Sequence, residues 1–91
     1  MTAHFHHDER GYAAWMDSHP RGYVFNHFGG RDPTFNVVHR VSCAHLWREV
    51  DSGARTTVAK VCGDRREDVE AEASRLRGGA AGWKHCGVCL R

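Results

Sequence analysis

Two short-spaced pairs of ligand-type side chains frame this chain: His39-x3-Cys43 at the end of an apolar run, and Cys86-Gly87-Val88-Cys89 much further on. Three thiols and an imidazole in two close pairs have the number and kind of donors that a closed tetrahedral zinc site needs. In 91 residues such a staple matters, because a domain this small buries only about 60–70% of its unfolded surface. The spacing therefore predicts one Zn2+ held by His39, Cys43, Cys86 and Cys89. Cys62 in place of His39 would give a four-cysteine site instead, and His45 and His85 also lie near the pairs in sequence.

Size allows a single domain. Residues 1–7, with three histidines, read as a flexible tail, and residues 8–91 as one zinc-binding domain. No stretch approaches the ~20 apolar residues of a membrane span. The polar start lacks a basic region followed by an apolar one, so a cytoplasmic chain without a secretory leader is expected. There, Cys-x2-Cys binds metal more often than it forms disulfides. A redox reading is poor, since that motif opens a helix and only Leu90 and Arg91 follow Cys89.

Catalytic zinc keeps a coordination position open, whereas four ligands close this shell. The zinc-deaminase, His-Glu-x2-His and Gly-x-Ser-x-Gly signatures are also missing from the sequence. No enzyme chemistry is expected. The formal charge of +2 falls to about +1 once three thiolates and a zinc ion are counted, so net charge selects no partner. Arginine outnumbers lysine eleven to two. Arginine is the better fork for phosphate, although a coding bias is the simpler explanation.

Apolar periodicity predicts a small α+β domain. Tyr12, Trp15 and Met16 share a stripe on a helix from Asp8 to about Ser18. Strands are predicted at Tyr23–Phe28, Phe35–Val41 and Thr56–Cys62, and form a three-stranded antiparallel sheet. Phe35, Val37, His39 and Val41 should share its apolar face. Asp64-Arg65-Arg66-Glu67 has capping-box spacing and opens a second helix that ends at Gly78-Gly79. The Cys-x2-Cys knuckle follows.

The order strand, ligand pair, strand, helix, Cys-x2-Cys over about Phe35 to Arg91 resembles the zinc-binding amino-terminal domain of the Ada DNA-repair protein. The residues that carry the likeness are His39-Arg40-Val41-Ser42-Cys43 and Trp83-Lys84-His85-Cys86-Gly87-Val88-Cys89. In that family the first pair is Cys-x3-Cys, and its first cysteine accepts a methyl group from a DNA phosphotriester. Here His39 stands in that place, and Leu46 stands where the family has a DNA-contacting arginine. The resemblance implies a zinc scaffold near DNA without methyl acceptance. It makes a zinc-finger-like nucleic-acid module of repair, restriction or modification machinery the leading expectation, with Arg31, Arg40, Arg48, Lys60, Lys84 and Arg91 as contacts. Trp47 and Trp83 are candidates for stacking on bases. The alternative is a small adaptor for a protein partner, anchored on Tyr12, Trp15 and Tyr23. A reactive Cys62 outside the metal shell is a third reading.

Overall fold

Helix α1 spans Glu9–Ser18 in the computed structural model, which describes residues 1–90. Asp8 caps it: the carboxylate accepts the Gly11 N–H at 2.9 Å, one of the donors a first helical turn leaves unpaired. Tyr12 and Met16, one turn apart, are its buried residues. Trp15 stacks on His19, ring centroids 4.2 Å apart, where the helix gives way before Pro20.

The strands are β1 (Ala3–Phe5), β2 (Tyr23–His27), β3 (Val37–Arg40), β4 (Ala59–Gly63) and β5 (Lys84–His85). They form one sheet in the order β1-β4-β2-β3-β5. The class is α+β, but the expected three-stranded antiparallel sheet is only the middle of a larger, mixed one. β1 adds antiparallel to β4, so residues expected as a tail supply an edge strand. β5 adds parallel to β3 at the other edge.

Three local expectations are corrected. The stretch Phe35–Val41 is not all strand: Asp32 accepts the Thr34 N–H at 2.9 Å and caps a 3₁₀ turn over Pro33–Phe35. Phe35 is therefore exposed rather than on the apolar face. Likewise, Arg55–Thr57 is a 3₁₀ turn and β4 starts only at Ala59. The capping box does not form either. Helix α2 spans Arg66–Arg77 with Arg65 as its N-cap residue, which leaves Asp64 one position too early, and Glu67 turns to the Arg65 guanidinium at 2.8 Å. Gly78 closes α2 as expected, with φ at 75°, a conformation that only glycine adopts without cost.

Both sheet faces are covered. Phe25, Val38 and Val61 pack against Val69 and Ala73 of α2 and against Leu90. On the opposite face Val24 and Cys62 pack with Tyr12 and Met16 of α1, and with Val41, Cys43, Leu46 and Cys86. Strands β4 and β5 run the same way, and parallel strands need a long crossover. Helix α2 is that crossover, lying over the sheet between them.

Candidate metal centre

The parallel pairing of β3 and β5 builds the site. Val38 lies opposite His85, and the Cys86 N–H continues the ladder to the Val38 carbonyl at 2.9 Å. Because the strands run the same way, both ligand pairs leave the sheet at one end. Antiparallel neighbours would have sent them to opposite ends. A turn closed by Cys43 N–H to Arg40 O at 3.0 Å returns Cys43 toward His39. The Leu90 N–H to Cys86 O bond at 3.0 Å closes the knuckle in the same way.

One ligand atom from each of His39, Cys43, Cys86 and Cys89 lies within 4.8 Å of the other three. The first three residues are buried and Cys89 is half-buried. Sulfur acceptors in the knuckle receive backbone donors: Arg40 N–H to Cys89 Sγ at 3.2 Å, and Val88 N–H to Cys86 Sγ at 3.4 Å. Such bonds favour thiolates. Burial raises the Cys86 pKa, but backbone hydrogen bonds from the Cys89 and Val88 amides outweigh it, so the net shift is downward. Burial instead raises the Cys43 thiol to about 12; without a cation, three thiolates would be crowded into one low-dielectric corner.

His39 meets the other requirement for a ligand, a neutral ring. Burial, with lesser repulsion from His45 and Lys60, lowers its pKa to about 4. The Asn26 side-chain amide sits 3.3 Å from its Nε2. Its Nδ1 is buried without a hydrogen-bond partner. A buried, neutral imidazole beside three thiols fits a metal ion, and with one bound the four residues would complete the shell.

The remaining candidates separate. Cys62 is fully buried in the core among apolar side chains and outside the cluster, its thiol raised to about 12 by burial. His85 points to α2, where its Nε2 meets Glu70 at 2.7 Å. His45 is closer, with Nδ1 4.0 Å from Cys86 Sγ, and stands at the rim of the four-residue group. Asn26 was not foreseen. Its place beside His39 depends on the β2–β3 register, which a single sequence does not display.

The six expected nucleic-acid contacts are also differently placed. Arg31, Arg48 and Lys84 are exposed. Arg40 does not reach outward freely: its guanidinium donates to the Cys89 carbonyl at 3.0 Å and to the Tyr23 hydroxyl at 3.3 Å, and so braces the knuckle. Lys60 is buried, and Arg91 lies outside the described residues. Trp47 is exposed enough to stack, with Arg55 over its ring. Trp83 is half-buried and its indole N–H is taken by Ser74 at 2.9 Å.

Comparison with family models, curated proteins and solved structures finds no match. No helix among the described residues is long and apolar enough to cross a membrane.

Proposed function

We propose that the chain is a domain built on a structural Zn2+ that binds nucleic acid, DNA first among candidates, as an accessory of repair, restriction or modification machinery. Three sulfur donors and an imidazole suit zinc better than the hard divalent cations. Four protein ligands leave no open position for substrate, so the ion staples and does not catalyse. The Ada-like order of ligands supports DNA as the nucleic acid. With an imidazole at the family's acceptor position, the role proposed is binding and not methyl transfer.

One observation carries the nucleic-acid half of this reading: cations beside the metal centre have no carboxylate partner. The arginines paired with carboxylates, Arg65, Arg66 and Arg75, all sit on or at the start of α2 with Glu67, Glu70 and Glu72. Among the described residues no carboxylate lies within 4 Å of Arg48, Lys60 or Lys84, which line the clefts beside the metal centre. Unpaired cations near the metal centre suit a phosphate backbone. The adaptor reading is weaker at one of its anchors: Tyr12 is buried, while Trp15 and Tyr23 are half-buried. A reactive Cys62 is disfavoured by its burial and raised pKa.

The test is elemental analysis of the purified protein together with its binding to duplex and single-stranded DNA across salt. One zinc per chain is expected, with affinity that falls steeply as salt rises. Absence of bound metal would end the zinc reading, and absence of DNA binding at low salt would end the other.

A further inference from the structure

Beside the metal centre lies a cleft of about 240 Å³, lined among others by Lys60, Arg48, Arg55, His45, Phe28 and Phe35. Its floor and its rim have different chemistry. At the floor, Lys60 is only 7% exposed, and its ammonium makes one hydrogen bond, to Asn26 Oδ1 at 2.5 Å. An ammonium has three donors, and no carboxylate lies within 4 Å of this one among the described residues. Burying an unpaired cation costs stability. Arg55 also lines the cleft, and its Nε is buried without a partner. The buried Lys60 and the half-buried Arg55 thus both have unused donors in the lining of one cavity. Asp51 is the single carboxylate among the lining residues, against four basic or imidazole side chains.

The rim is aromatic. Phe28 and Phe35 are 60% and 58% exposed and face each other with ring centroids 5.3 Å apart. Their display is built in. Asn36, fully buried, accepts the Gly29 N–H at 2.9 Å and donates to the carbonyls of Gly29 and Asp32, both at 3.0 Å. This side chain closes the loop between β2 and β3 and fixes both phenylalanines at its base. Two exposed rings held in place beside cations form a platform for a flat, anionic ligand. At about 240 Å³ the cleft lies below the ~300–1,000 Å³ of pockets for drug-sized molecules. One nucleotide unit suits it, and a duplex does not.

We infer that this cleft takes one unpaired nucleotide of a single-stranded nucleic acid, its base against Phe28 and Phe35 and its phosphate at Lys60, Arg48 and Arg55. The inference rests on the nucleic-acid reading above and narrows it to a place and a strand state. Stacking supplies sequence-tolerant affinity, and the cations supply the salt-dependent part. The exposure of Phe28 and Phe35, the spare donors of Lys60 and the unpartnered Nε of Arg55 then have one common explanation.

The experiment is fluorescence anisotropy on the zinc-loaded protein with a labelled oligo(dT) of about 15 nucleotides, its abasic counterpart and a duplex of equal length. The variants are Phe28→Ala/Phe35→Ala, whose side chains are exposed, and Lys60→Met, which keeps the length of the stem. Oligo(dT) should bind more tightly than the abasic strand or the duplex. The phenylalanine double variant should lose about ten-fold or more on oligo(dT) and little on the abasic strand. Lys60→Met should lower the salt slope by about 0.7. DNA binding unchanged in the double variant would overturn the cleft and leave the nucleic-acid reading standing. No binding to any strand would overturn both. Sedimentation showing a dimer lost in the double variant would assign the face to a second copy of the chain, and the nucleotide site would fall.

Discussion

Burial of the Lys60 ammonium lowers its pKa from 10.5 to about 8, because the charged form has lost most of its water. Between those values the unfolded chain holds a proton that the folded one has released, so stability rises with pH. Two buried acids oppose it at the upper end. Burial raises Cys62 from 9.0 to about 12, and it also raises Tyr12 well above 10.0. Each of these loses its proton first in the unfolded chain, which lowers stability above about pH 9. The Lys60 share of this rise is about 1 kcal/mol between pH 8 and 9, read in denaturant unfolding as the difference between the metal-loaded protein and Lys60→Met. The three metal-bound thiolates regain protons on unfolding and add a rise that both proteins share. In Cys62→Ala the rise should continue further toward pH 10. Equal profiles in the unmodified protein and Lys60→Met would mean that the ammonium is hydrated. Asn26 contacts both Lys60 and His39, its Oδ1 accepting from Lys60 and its amide nitrogen facing the His39 ring. Cys62 lies outside the four-residue group, so Cys62→Ala should leave metal affinity unchanged in competition with a chelator.

Among the elements, the loop between β2 and β3 depends most on a single side chain. Asn36 is fully buried and makes three hydrogen bonds to backbone groups. Asn36→Ala leaves those groups unsatisfied and should cost about 1–3 kcal/mol, read as a lower unfolding midpoint with bound metal retained. A loss of metal instead would show that this loop supports His39 more directly than its hydrogen bonds indicate. The same loop shows where sequence pattern stops being informative. Helix α1, the middle strands and α2 were legible because apolar periodicity extends over several residues in each. The ligand pairs were legible because a metal fixes both residue type and local spacing. Strands β1 and β5 have three and two residues, too few to show alternation, and exist because a neighbouring strand offers an edge. Their absence from the sequence reading removed the parallel β3–β5 pair, the contact that brings the ligand pairs together. The capping box failed for a smaller reason: Asp64, at one position too early, cannot reach the first-turn amides of α2.

At the scale of the whole molecule, the metal centre ties the edge of the sheet to both of its faces. Cys43 and Cys86 belong to the cluster under α1, while Cys89 packs against that cluster and against the one under α2. Apart from the His85 contact with Glu70 of α2 at 2.7 Å, strand β5 has little else to hold it. Its backbone attachment consists mainly of Lys84 N–H to Asn36 O and Cys86 N–H to Val38 O, each at 2.9 Å, and the knuckle beyond it contributes Leu90 to the core. The antiparallel pairs of β2 with β3 and β4 are longer and buried at the centre. Structural zinc in small peptides carries about 10–16 kcal/mol of apparent binding energy, comparable with the ~5–15 kcal/mol that holds a whole domain folded. Removing the ion should therefore act unevenly, because opening occurs first where few contacts oppose it. After chelation, amide exchange at Lys84, Cys86 and Leu90 should become fast, while Val24, Phe25 and Val61 keep protection until the remainder unfolds. Equal loss at all six amides would make the ion a global requirement for folding. Unchanged protection at Cys86 and Leu90 would mean that packing alone holds the knuckle, and the four ligands would then have no structural task that an ion is needed to perform.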